Sequence, residues 1–182
     1  MTRVQDARIR RLPFQQKIGA GMTRADFLRA VAAGRVRHVG MRESITMIGD
    51  ALGWNIDRVT DVVRPKIARQ RVTSAFVTVA AGQVCGLVQD AIGYRRGEPL
   101  IRHHLEAYLG APETYDAIEI AGRPALSMRM DGGVHGDIAT ASIVVNSLPK
   151  VLRASPGLRT MRDLPLPSWF PGAGVTLGRA TL

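Results

Sequence analysis

Two glycine-rich turns each stand just before a helix-forming run, and each carries a side chain that can move a proton. The first is Lys17-Ile18-Gly19-Ala20-Gly21, ahead of a helix that opens at Thr23. The second is Gly132-Gly133-Val134-His135-Gly136-Asp137, ahead of the apolar run from Ile138 to Leu152. A helix N-terminus presents free N–H groups and a partial positive charge, so it holds a carboxylate or phosphate readily. Lys17 and His135 are then suitable donors or acids for a substrate carboxylate or imine. Gly21, Thr23, Gly133 and Asp137 are the candidate substrate-holding positions of the two turns. A third segment, Arg37-His38-Val39-Gly40-Met41-Arg42-Glu43-Ser44, offers His38, Arg42 and Ser44 as a polar pocket wall, with Glu43 as a third acid–base group. Each segment also has a plain structural reading: tight turns, a solvated lysine, or a helix cap with an Arg–Glu pair.

Several other chemistries are absent. No G-x-G-x-x-G joins a strand to a helix with an acidic residue about 20 positions on, as dinucleotide binding requires. There is no G-x-x-x-x-G-K-[ST] phosphate loop either. His103 and His104 are adjacent in a strand-like run, so their rings face opposite sides and cannot share an ion. The single Cys85 permits neither an internal disulfide nor a thiolate metal cluster, and its strand-like setting reads as a buried, inert thiol. Ser44 and Ser127 lack the G-x-S-x-G context of a hydrolase elbow. No cofactor or metal is expected on the chain itself.

The groups must be positioned by a folded core, and 182 residues with 46% hydrophobic content suit one domain with a real one. The net charge of +10 comes almost wholly from Arg. The Arg residues are scattered rather than clustered and are not interleaved with aromatics, which argues against nucleic acid. A small anionic ligand needs only one or two of them. No apolar run reaches the roughly 18–20 residues of a membrane span, and no apolar segment follows the basic N-terminus, so a cytoplasmic protein is expected.

The elements read as an extended or loop segment over 1–22, an α+β core over 23–154 and a Pro-rich tail over 155–182. Thr23 and Asp26 form a capping pair for a helix with Phe27, Leu28 and Val31 on its apolar face, stopped by Gly34. Met41, Ile45, Ile48 and Leu52 share the stripe of a second helix, ended by Gly53 under Trp54. Strands are expected over Val59–Val63, Ala75–Ala80, Gln83–Gly93, Leu100–Tyr108, Ala117–Ile120 and Ala125–Met130, with a hairpin at Arg95–Glu98. A last helix presents Ile138, Ala141, Val145 and Leu148 on one face, and Pro149 should kink or end it. The predicted architecture is an open mixed or antiparallel sheet with helices on one face. Its uncovered face suggests a homo-oligomer built through the sheet.

Taken in order, several of these strings resemble dihydrodipicolinate-reductase-like oxidoreductases, in particular the branch containing 2,4-diaminopentanoate dehydrogenase. They are Pro13 to Thr23, His38 to Ser44, Gly82 to Gly93, Gly132 to Thr140, Val145 to Pro149, and the tail strings around Pro156 and Asp163. The resemblance implies the α+β domain that binds substrate and assembles the oligomer, with NAD(P) held on a separate Rossmann domain. It implies reduction of an imine, or oxidation of an amine, beside a carboxylate. The K-x-D-A-P-S-G-T segment of the reductases is echoed by Lys17, Ala20 and Thr23. The spacing here is one residue shorter, and Gly19 stands where the segment has Asp.

Three functions follow from this reading. The first is the substrate and oligomerisation half of an amine or imine dehydrogenase that works with a nucleotide-binding subunit. The second is a cofactor-independent cyclase, isomerase or dehydratase of a biosynthetic pathway, using Lys17, His135 and Glu43. The third is a non-catalytic binding or scaffold protein.

Overall fold

The computed structural model describes residues 1–169. Pro171 and the end of the expected tail lie outside the described residues. The chain divides into two compact units, Met1–Gly133 and one that begins at Val134.

The first unit opens with β1 (Thr2–Asp6), a 3-10 turn (Ala7–Ile9) and α1 (Leu12–Lys17). Helices α2 (Arg24–Ala32) and α3 (Met41–Ala51) follow. The strands are β2 (Arg58–Ile67), β3 (Val72–Thr73), β4 (Thr78–Val79), β5 (Val84–Arg95), β6 (Glu98–Tyr108), β7 (Tyr115–Ile120) and β8 (Leu126–Asp131). Six of them form one sheet in the order β2-β5-β6-β1-β7-β8, antiparallel throughout except where β1 runs parallel to β6. This is the predicted α+β architecture. The segment 1–22, read as extended or loop, instead supplies an inner strand and a helix. Arg3 and Gln5 occupy its inward positions, which breaks the apolar alternation that marks a strand. Pro13 sits in the first turn of α1, where its missing N–H costs nothing.

The Thr23 cap forms as expected: its hydroxyl accepts from the Asp26 N–H at 3.1 Å and donates to the Asp26 carboxylate at 2.6 Å. Phe27 and Ile45 are fully buried, but Leu28 and Leu52, expected on the apolar faces, are 48% and 54% exposed. Ala30 and Gly49 are buried instead, and a Cβ on Gly49 would come within 2.4 Å of Ile56 in the link that follows α3. A Cβ on Gly93 would come within 2.4 Å of Ile45, so the bare backbone of β5 is what lets α3 lie so near. The expected strand over 75–80 is reduced to the β3–β4 pair, because the Ser74 hydroxyl captures the Phe76 and Val77 N–H groups at 3.1 Å and makes a turn there. The hairpin at Arg95–Glu98 forms, with both central residues, Arg96 and Gly97, at positive φ.

The second unit is α4 (Gly136–Val151) followed by irregular chain. Pro149 lies in the last turn of α4, and the helix closes two residues beyond it. No residue of α4 is buried. Among the described residues, no helix is long and apolar enough to cross a membrane.

Candidate functional site

The strand period sorts the first unit's polar groups onto two faces. Arg3, Gln5, Asp61, Gln89 and His103 share the face that carries the helices, by the register of β1, β2, β5 and β6. Arg64, Lys66, Asp90, His104 and Glu106 share the other. A cavity of about 300 Å³ opens on the first of these faces, where the 38–40 loop and α3 meet β6 and β1. Its polar lining includes Arg3, His38, Ser44, His103 and His104, and its apolar lining Met1, Val39, Met41, Met47, Ile48 and Leu105. Neither Asp nor Glu lines it.

His38 is central to this cavity. Residues 35–40 belong to no helix or strand, and Gly40 at φ 94° turns the chain into α3. His38 is exposed as a residue, although neighbouring atoms take water from part of its imidazole. That loss of water, reinforced by the positive charges of Lys17, Arg3 and Arg10 and opposed by Asp61, holds its pKa below the ordinary histidine value. His38 is therefore a free base at neutral pH. The partly buried His103 is pushed the same way, first by burial and then by the N-terminal ammonium. Arg10 is 8% exposed, donates to the Gln5 side chain at 3.1 Å and stacks on Phe14. Arg3 also reaches Asp116 at 3.6 Å.

The predicted site residues separate into four groups. His38 and Ser44 line the cavity, and Lys17 lies beside His38 across a small adjoining hollow that also touches Arg37 and Leu105. Thr23, Gly21 and Gly133 do structural work: Thr23 caps α2, Gly21 bonds to the Val84 carbonyl at 2.9 Å, and Gly133 turns the chain at φ 61°. Arg42 and Glu43 are exposed in the first turn of α3 and do not line the cavity. His135 and Asp137 stand at the start of α4 in the second unit. Among the described residues, no group of three His, Cys, Asp or Glu side chains could hold a metal.

Sequence reasoning missed Arg3, His103 and Gln89. Arg3 lay in a segment not read as a strand. Gln89 carried a usable signal, being the one polar side chain at an inward position of the β5 run Val84-Cys85-Gly86-Leu87-Val88-Gln89. His103 and His104 do face opposite ways. Cys85 is buried, with its thiol pushed up by burial.

An open, mostly antiparallel sheet with helices packed on it is also the fold of the amine dehydrogenase from Mycobacterium smegmatis. That structure superposes with a TM-score of 0.78 at 22% identity, over 93% of this chain and 51% of that one. The likeness is one of fold: an α+β domain built on an open, mostly antiparallel sheet. Residues 2–175 match the 2,4-diaminopentanoate dehydrogenase C-terminal domain, and the chain belongs to that family. The 2,4-diaminopentanoate dehydrogenase of Acetoanaerobium sticklandii is 35% identical over 160 residues, which span 85% of this chain and 45% of that protein. The chain thus spans about half the length of the relatives it matches.

Proposed function

We propose that the His38 cavity is the substrate side of an amine- or imine-handling oxidoreductase and takes a small carboxylate-bearing metabolite with an apolar body. The observation that carries this is the lining itself: cationic Arg3, the neutral polar groups of His38, Ser44 and His103, Met and Ile side chains, and no acidic residue. A carboxylate meets Arg3 and the field of Lys17, while the free-base His38 can take a proton from an ammonium or alcohol on the same ligand.

The reading places no NAD(P) on the chain's own glycine turns. Gly19 follows a helix rather than a strand, and a Cβ there would meet Phe27 at 2.6 Å, so this glycine serves packing. A nucleotide-binding unit, attached or separate, would supply the hydride carrier. A free-base His38 also supports a second reading, a cofactor-independent isomerase or cyclase; turnover by this chain with no nicotinamide present would establish it. Self-association is part of the proposal as well. Ile118, Ile120, Leu126, Met128 and Met130 form an exposed apolar stripe on β7 and β8, of the kind that a second copy covers.

The test is NMR titration of the full chain with hexanoate and, separately, hexylamine. Hexanoate should shift the His38 and His103 ring signals, with affinity falling roughly threefold to tenfold in Lys17→Met at low salt. Equal or tighter binding of hexylamine, or no response to hexanoate, overturns the reading.

A further inference from the structure

We propose that Gln89, backed by Asp61, is the positioning residue of this cavity, fixing the His38 peptide and thereby the imidazole against the ligand. The inference rests on the reading of the cavity given above. Its basis is one buried amide that binds both sides of a single residue 51 positions away. The Gln89 Oε1 accepts the His38 N–H at 2.7 Å, and its Nε2 donates to the His38 carbonyl at 3.0 Å. The second Nε2 hydrogen goes to the Asp61 carboxylate at 2.8 Å. These partners fix the amide's orientation, since the His38 N–H needs an acceptor while the carbonyl and the carboxylate need donors.

The arrangement does what a neighbouring strand would do, but with a side chain. Residues 35–40 have no ladder of their own, yet His38 receives the two bonds of a strand bridge. Gln89 is 0% exposed, and burying an amide is costly unless its bonds are all made. On a strand otherwise lined by Leu87 and Ala91 on that face, an apolar residue would pack without this cost. The amide is thus explained by what it holds.

Asp61 adds a second effect. Its negative charge favours protonation of His38, against Lys17, Arg3 and Arg10, which disfavour it. Position and charge of the imidazole therefore reach back to the same pair on β5 and β2. The other fully buried glutamine, Gln15, binds the Ala7 and Arg10 carbonyls and the Ser74 hydroxyl, and holds the 3-10 turn to α1. It touches no cavity residue in this way.

The experiment uses the full chain with Gln89→Met, Asp61→Asn and, as a control matched for destabilisation, Val79→Ala in the core. Three quantities are read: hydrogen exchange at the His38 amide, the His38 ring titration, and hexanoate affinity. In Gln89→Met the His38 amide should exchange at least about tenfold faster relative to core amides. Hexanoate should bind that variant roughly tenfold more weakly. Asp61→Asn can still accept from Gln89, so amide protection stays while His38 titrates lower. Val79→Ala should change neither amide nor affinity selectively. A uniform loosening in Gln89→Met, an unmoved His38 titration in Asp61→Asn, or a like response in Val79→Ala overturns the inference. If the unsubstituted protein fails to bind hexanoate, the cavity reading falls and this inference with it. Hexanoate binding retained in Gln89→Met, with the His38 amide freed, sinks the positioning role alone.

Discussion

Gln89 and Asp90 are neighbours in β5, as His103 and His104 are in β6, and the strand period sends the members of each pair to opposite faces of one sheet. Under the helices, Gln89 is neutral, fully buried and satisfied by three hydrogen bonds, and His103 is held neutral by burial. On the open face, His104 lies between Asp90 at 2.6 Å and Glu106 at 3.3 Å. Arg64 pairs with Asp90, and Lys66 with Glu106 at 2.9 Å. Similar polar content thus serves two ends. Where water is excluded, few groups are present, and the Gln89 amide is fixed by direct bonds. Where water is present, many charges share a network in which no single member is decisive.

The contrast is broken most directly by truncation. Leu87 is 0% exposed on the helix side, so Leu87→Ala should cost about 3 kcal/mol in urea unfolding. Val62, 48% exposed on the open side, should cost less than about 1 kcal/mol as Val62→Ala. Equal losses would mean that the open face is covered in the protein as studied. The neighbouring pair sharpens the test. Gln89→Met strands the Asp61 carboxylate and the His38 peptide and should cost about 2 kcal/mol. Asp90→Asn leaves a partly solvated network and should cost below about 1 kcal/mol.

The two faces were unequally legible in the sequence. The split of His103 from His104 follows from strand period alone, and the Thr23–Asp26 cap and the Arg96-Gly97 turn carry local chemical signatures. His38 and Ser44 were found as a polar segment at a helix start. Arg3 and His103 were not, because they come to the cavity through the parallel pairing of β1 with β6, a contact spanning some hundred residues that no local pattern encodes. Glu43 and Arg42 have the right chemistry, but helical phase turns them to solvent. The Asp90–His104–Glu106–Lys66 network was invisible for the same reason as Arg3: its members lie on three strands.

The faces should also part in their response to acid. His103 has a folded pKa below its ordinary value, so between the two values the unfolded chain binds more protons. Its contribution is therefore intact above the ordinary histidine pKa of about 6.5 and is lost as pH falls below it. Partial burial pushes Asp90 and Glu106 up, but hydrogen bonds from His104 and Arg64 to Asp90, and from Lys66 and His104 to Glu106, hold both below the usual carboxylate range. Their contribution persists until pH falls below about 4. Unfolding free energy measured against pH should show two declines, and His103→Asn should reduce only the upper one, of which His38 carries the remainder. A single decline near pH 4 in both proteins would contradict the assignment of His103 to the dry face.

The smallest effect separates network from core through salt. Lys66→Met removes the partner of Glu106 and the cation stacked on Tyr108 at 4.5 Å, but its side chain is 37% exposed. Water already screens the pair, so the loss should stay below about 1 kcal/mol at low ionic strength. It should shrink further in 1 M salt, where the screening length falls to about 3 Å. Gln89→Met should not respond in this way, because its bonds are short, dry and between groups of which only Asp61 is charged. Measuring both variants at low and high salt therefore compares the faces with the fold held constant. A Lys66→Met loss that survives 1 M salt would place the network in a water-excluded interface, and the open face would then be the buried one.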